Sequence, residues 1–365
     1  MHKISSRQVF AFACMLSCFL FPGFGDTLLL QTGKNSSIIA SILGTILGLI
    51  PILIIIAISK QTTTKNIFEL NKERFKFFGF ILNFLLIIGV IYIMIVGTWS
   101  IINFTVSQFL TRTSYYLVLF VMNALVAYAI LKKTEVIGRT AIVLLISFIM
   151  ITVFSWIFLI PLVDTTNLYP IMDVSKTSFL KTILMHPTFC ALPLISLLFI
   201  KRNEVVDKEN INIKIILGYI FGAILSTGFL FLIISVFGSE MSALFTYPEY
   251  TLFKKINVLD FIQRIENIIA SIIFIASFIA FCVMNSFLKE YVKTTFKIKK
   301  ETVLNIVITI LIFAIPFVSV YGFQNYLIIS LYEKYPLIAS FIFIVLVINY
   351  VLLLITKKKE TKKVQ

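Results

Sequence analysis

The sequence predicts an all-α polytopic membrane protein of ten transmembrane helices, built as two inverted repeats of five, with helices 1 and 6 discontinuous. Three observations carry that expectation. Of the 365 residues, 59% are hydrophobic and 13% charged, against about 25% charged in ordinary soluble domains. Ten apolar runs of spanning length follow one another through short basic connections. The first and sixth runs are interrupted by proline, and the run after each carries G-x-x-x-G.

The first run, residues 8–31, would reach about 36 Å as a helix, enough for a hydrocarbon core of roughly 30 Å. Near its middle stands Phe21-Pro22-Gly23-Phe24-Gly25-Asp26. Pro22 has no backbone hydrogen to donate, and Gly23 and Gly25 tolerate angles other residues avoid. Loosened backbone facing lipid leaves polar groups unsatisfied, so the break needs cover from protein or a watery cavity. These six residues are therefore candidates for half of a small-molecule site; the plainer alternative is a kinked spanning helix with no ligand. Lys3 and Arg7 before an apolar stretch give a faint signal-peptide look. The run is too long, however, and lacks a small-residue cleavage site, so it is expected to stay as the first span.

The remaining runs lie at about 37–58, 78–102, 115–131, 140–160, 182–200, 215–236, 264–288, 303–322 and 337–355. The N-terminus, alternate loops and the tail hold 24 of the 32 basic residues, which predicts that both termini are cytoplasmic. That distribution reads as topology, so the net charge of +15 does not point to nucleic acid. The chain is expected to be a single transmembrane domain over 1–365. Repeat one covers about 8–160, repeat two about 182–355, and a basic cytoplasmic tail covers 356–365.

The second run carries Gly44 and Gly48, and the seventh carries Gly218 and Gly222; such pairs let helix backbones approach closely. The loop 59–77 sets Phe68, Leu70, Phe75, Phe77 and Phe78 among Lys and Glu, which predicts a short amphipathic helix on the membrane surface. In the third run Tyr92 and Trp99 are candidates to line a pocket, with packing or lipid contact as the commoner roles. The sixth run contains His186-Pro187-Thr188-Phe189-Cys190-Ala191-Leu192-Pro193, the second proline-broken stretch. Five spans separate the two breaks, so the second copy enters the membrane from the opposite side. Paired interrupted helices of this kind mark a transporter-like fold binding its ligand near the midplane. The outer loop 237–263, with Tyr247-Pro248-Glu249-Tyr250, is long enough to act as a lid. Lys357, Lys358, Lys359, Lys362 and Lys363 in the tail suit a contact with anionic lipid.

Within the ten runs the formally charged side chains are Asp26, Arg264 and Glu266, and such groups are functional by default. Asp26 begins the outer half of the first helix, where a carboxylate either caps the helix end or receives a ligand's amine. Arg264 and Glu266, two apart, do not face each other on a helix and read as anchors of the eighth run. Ser271, Ser277, Asn285 and Ser286 offer oxygens enough for sodium, although hydroxyls also bond within their own helix. Cys14, Cys18, Cys190 and Cys282 all lie in apolar runs without metal-ligand spacing. His186 has no second ligand at metal spacing, so no metal is expected. No cofactor is expected, and no nucleophile–base pair or phosphate loop points to an enzyme.

At this point the chain resembles the B subunit of nutrient germinant receptors in spore-forming bacteria, over essentially its whole length. That family is a branch of the amino acid/polyamine/organocation transporter superfamily. The resemblance rests on Ile4-Ser5-Ser6-Arg7-Gln8, on Asn167-Leu168-Tyr169-Pro170, and on Tyr247-Pro248 followed by Asp260-Phe261-Ile262-Gln263-Arg264-Ile265-Glu266. Gly23-Phe24-Gly25 is also similar to the superfamily's Gly-x-Gly in the first helix. The resemblance implies a LeuT-like fold of 5+5 inverted repeats in the spore inner membrane. It further implies partnership with an A subunit and a lipoprotein C subunit, and recognition of a small nutrient such as an amino acid. The ligand is then expected against Phe21 to Asp26, Tyr92, Trp99, Thr188, Phe189, Cys190 and Ala191. Pro187, Pro193, Arg264, Glu266 and the four glycines of the G-x-x-x-G pairs would be structural or gating residues. Two departures bear on the ligand. Pro193-Leu194-Ile195-Ser196 stands where many relatives carry Gly-Glu, and Gly33-Lys34-Asn35-Ser36-Ser37 lacks a tryptophan common there. The competing reading is a secondary amino acid permease of the same fold, against which the fifth run offers no charged residue for ion coupling.

Overall fold

Amide and carbonyl groups of a chain this apolar must satisfy one another, and helices do so locally. The computed structural model describes residues 3–256, 267–321 and 333–364, and these are helical with short connections. Among the described residues seven stretches are long and apolar enough to cross a membrane: Ser6–Ser59, Ile67–Phe109, Thr134–Leu162, Lys176–Phe199, Ile211–Phe237, Asn267–Phe296 and Tyr335–Thr356. Two shorter apolar helices, Tyr115–Ile130 and Glu301–Phe317, accompany them. The first stretch holds two of the ten predicted runs. It is interrupted at Lys34, whose φ of 44° no continuous helix accepts. Ile46, Val143 and Ile224 are 61%, 64% and 57% exposed, and apolar side chains left on helix faces in this way belong against lipid. The chain is an all-helical polytopic integral membrane protein.

In chain order the helices are α1 (Ser6–Cys18), α2 (Asp26–Gly33), α3 (Ser37–Leu47), α4 (Leu49–Ser59), α5 (Ile67–Phe104), α6 (Tyr115–Ile130) and α7 (Thr134–Leu159). They continue with α8 (Lys176–Cys190), α9 (Ile211–Phe237), α10 (Ser239–Leu244), α11 (Pro248–Phe253), α12 (Asn267–Phe296), α13 (Glu301–Tyr321) and α14 (Tyr335–Val364). Packing follows a pattern that exchanges the two halves of the chain. α1 lies along α9 and α3 along α8; α5 meets α14 as α12 meets α7; α5 also meets α12, and α6 meets α13.

Small residues make the two largest of these contacts possible. A Cβ on Gly218 would stand 2.7 Å from both Ala13 Cβ and the Phe10 carbonyl, and one on Gly222 would stand 2.6 Å from Ser17 Cβ. In the other half, a Cβ on Gly44 would lie 2.6 Å from His186 Cβ and 3.0 Å from the Ile183 carbonyl. That carbonyl is the one Pro187, lacking an N–H, cannot bond within the helix. Gly48 lies under the Tyr219 ring, whose hydroxyl donates to the Thr45 carbonyl at 2.9 Å.

The N-terminal residues that carried part of the family resemblance have a mechanical role. Ser5 and Gln8 form a reciprocal capping box on α1, and Ile4 pairs in parallel with Val205 beyond the sixth run. Ser5→Ala removes one capping bond and is expected to cost about 1 kcal/mol, read as a lowered unfolding midpoint in detergent.

The amphipathic helix of the 59–77 loop is there, starting at Ile67 behind an Asn66–Glu69 capping box and ending at a kink at Lys76. Its apolar face corrects the expectation of a purely membrane-surface helix. Phe68 is fully buried against Phe287 and Tyr291, at ring distances of 4.6 and 5.4 Å, while Phe77 and Phe78 stay exposed. Asn66 Nδ2 donates to Glu290 at 2.9 Å, so the segment is docked on α12.

Candidate functional site

The first break lies where Pro and Gly predicted it. After α1 the backbone extends at Pro22 (φ −63°, ψ 127°) and turns left-handed at Gly23 (φ 73°, ψ 3°) before α2 begins at Asp26. The second lies beyond Pro187, which stays inside α8. The α-helix ends at Cys190, and a 3-10 helix runs from Leu192 to Phe199 with Pro193 in its first turn. Thus Pro193, rather than Pro187, marks the discontinuity of the sixth run.

Aromatic rings fill the space between the breaks. Phe24 meets Phe189 edge-on at 5.3 Å and Tyr335 at 5.2 Å, and Tyr335 stacks on Phe189 at 5.2 Å and on Tyr92 at 5.8 Å. Phe21 meets the buried His186 ring edge-on at 5.3 Å. Tyr335 also donates its hydroxyl to the Thr188 carbonyl at 3.0 Å, satisfying a backbone acceptor near the end of α8. The Thr188 hydroxyl turns back to the Met185 carbonyl. Cys190 Sγ lies 3.8 Å from His186 Nε2, and Ala191 bonds back to the Pro187 carbonyl at 2.8 Å. Trp99 is half-buried two turns beyond Tyr92 on α5.

The loop carrying α11 closes over the first break. Glu249 of α11, fully buried, accepts the Gly23 N–H at 3.1 Å. The Tyr247 ring packs on Gly23, where a Cβ would come within 2.9 Å of it. Asn103 Nδ2 donates to the Tyr247 hydroxyl at 2.7 Å, the Tyr250 hydroxyl donates to the Gln108 carbonyl at 3.0 Å, and Thr27 Oγ1 donates to the Thr246 carbonyl at 2.9 Å. Burial holds the Glu249 carboxyl above the usual carboxylate range.

Asp26 does not cap α2. Its side chain makes no capping bond, and neither carboxyl oxygen meets an N–H or O–H donor among the described residues. The buried carboxyl of Glu249, held on the Gly23 amide three residues before Asp26, is the charged group that bears on it.

Beside the N-terminal residues a cavity of about 430 Å³ opens between Ile4, Lys133, Lys201, Glu204, Lys289 and Glu301, among others. Glu204, beyond the sixth run, is also held above its ordinary range, first by burial. In α12 the Asn285 and Ser286 side chains donate to the Phe281 and Cys282 carbonyls, and Ser271 is exposed. Ser277 Oγ and Asn285 Oδ1, however, are buried without a hydrogen-bond partner among the described residues, so the helix itself takes up only part of the oxygens named for sodium. No cluster of three His, Cys, Asp or Glu stands at metal-binding distance among the described residues. Arg264 and Glu266, with the Asp260–Glu266 stretch of the resemblance, lie outside the described residues.

Glu249, Tyr247 and Tyr335 were not among the residues picked from the sequence as ligand candidates. Glu249 sits in a connection, so a search for charges within apolar runs passes over it. Tyr335 opens α14, far in sequence from either break.

These features define an all-helical integral membrane protein with two interrupted helices facing each other under a lid. A family model described as "Spore germination protein" matches residues 4–321. The chain therefore belongs to the spore germination protein family. It is also similar to the Bacillus subtilis (strain 168) protein named "Putative spore germination protein YfkT", 25% identical over 275 residues, with 74% of each chain covered.

Proposed function

We propose that this protein is the nutrient-sensing subunit of a spore germinant receptor. A small ligand, an amino acid by chemistry, binds mid-membrane between the breaks in α1/α2 and α8, and its binding triggers germination. The observation that carries this reading is the meeting of the two breaks at Phe24, Phe189 and Tyr335. Backbone freed from helical bonding beside an aromatic wall suits a molecule with charged ends and an apolar side chain. The half-exchanging packing of α1 on α9 and α3 on α8 supports a ten-helix, LeuT-like arrangement of 5+5 inverted repeats. In this reading the protein lies in the spore inner membrane with both termini cytoplasmic, beside an A subunit and a lipoprotein C subunit.

One observation favours the second reading, a secondary amino acid permease. The site is covered from outside by α11, while a cavity stands open at the cytoplasmic end, as in a carrier caught facing inward. Radiolabelled amino acids offered to the purified protein in sealed vesicles separate the two. The receptor reading expects saturable binding that falls at least about tenfold in Phe189→Ala, without accumulation. Concentrative uptake would transfer the chain to the permeases.

A further inference from the structure

The carboxyls of Asp26 and Glu249 are both buried, at 0% and 1% exposure, and both lie at the first break: Glu249 is held on the Gly23 amide at 3.1 Å, three residues before Asp26, and its charge bears on Asp26. Two carboxylates that close in a dry site cannot both stay ionised, because each charge lacks water and repels the other. A cation, or a proton shared between them, has to be present. Among the described residues no ammonium or guanidinium reaches the pair: the salt bridges there join other groups, and Lys254, just past the end of α11, is exposed over the Tyr250 ring at 4.5 Å. The other titratable groups bearing on the pair are the Cys190 thiol of α8 and the Tyr247 phenol beside Glu249. α5 brings the neutral Ser100 and Asn103 to this corner, and α9 and α12, also packed on α11, bring it no charge among the described residues. One Glu249 oxygen accepts from Gly23 N–H, whereas both Asp26 oxygens have no donor.

We propose that Asp26 and Glu249 bind one exchangeable proton between them, and that this proton latches α11 over the break in the first helix. With the proton bound, the pair forms an O–H···O hydrogen bond and Glu249 keeps its hold on the Gly23 amide. When the proton leaves to water, two adjacent carboxylates remain. Their repulsion drives Glu249 off Gly23 and lifts α11, so the outer face of the break opens as pH rises. The closed form holds one proton more than the open form, and acid therefore favours closure. The latch depends on neither the identity of the nutrient nor the choice between receptor and permease.

Thiol labelling of full-length protein in detergent tests it. Leu252→Cys places a thiol at a fully buried position of α11, and Leu244→Cys places a reference thiol at a 79% exposed position of α10. The four native cysteines are buried. The ratio of the two labelling rates cancels the ionisation of the thiol itself. It is expected to rise with pH by up to about tenfold per unit above the titration point of the pair. In Asp26→Asn and in Glu249→Gln an amide N–H replaces the shared proton, so the ratio should stay low and flat between pH 5 and 9, about the range a folded protein tolerates. A flat ratio in the parent overturns the proposal, as does a parent-like slope in either folded variant. If one variant does not fold, the other decides by the same criterion.

Discussion

Gly23→Ala is expected to unseat α11 from the break in the first helix. At φ 73° the backbone is left-handed, which costs an L-residue roughly 1–2 kcal/mol before any contact is considered. The added Cβ would also stand 2.9 Å from the Tyr247 ring, and that ring cannot withdraw without losing the bond from Asn103. Because Gly23 N–H is where Glu249 grips the break, the strain and the clash fall on the same contact. The expected outcome is faster labelling of the Leu252→Cys site, with a lowered unfolding midpoint. Gly25→Ala makes the comparison. Its φ is ordinary and its new Cβ would meet the Leu20 carbonyl at 3.3 Å, so a smaller effect is expected. Equal effects would mean that the left-handed turn is not what seats the lid.

Gly222→Val should strongly destabilise the seam between α1 and α9. Its first carbon would sit 2.6 Å from Ser17 Cβ and 2.9 Å from the Cys14 carbonyl. The second of these is backbone and cannot rotate away. The helices must separate, and the Ser17 hydroxyl then loses the Tyr219 carbonyl it donates to at 3.2 Å. Overpacking of this kind costs about 1–3 kcal/mol, occasionally more. Between apolar helices in lipid no hydrophobic gain offsets the lost van der Waals contact. Gly44→Val, which presses on His186 and the Ile183 carbonyl in the other half, should behave alike. Thermal unfolding in detergent measures both; a midpoint unmoved by either change would show that close backbone approach does not hold these pairs together.

Much of this was legible in the chain itself, and unevenly so. Pro22 and Gly23 announce the first break because their restrictions are intrinsic: one lacks a donor and the other lacks a Cβ. Pro187 misleads for the same reason. It is intrinsically a helix breaker, yet the helix continues through it, with α3 passing at Gly44 over the carbonyl it leaves unbonded. Asp26 stands out as a rare charge, but its role as a cap does not hold: its side chain makes no capping bond, and the charge that bears on it comes from Glu249, 223 positions away. Phe68 reads as a membrane-facing aromatic until α12 is seen to cover it.

Local covalent chemistry and the alternation of apolar and basic segments decide that this chain is helical, that it enters the membrane repeatedly, and where its first helix gives way. Those properties belong to residues taken singly or with near neighbours. Which carboxyl meets Asp26, which ring covers Thr188 and which helix fills the groove at Gly44 are settled by segments distant in sequence. Contact across such distances depends on how whole helices pack, and no local pattern encodes the partner.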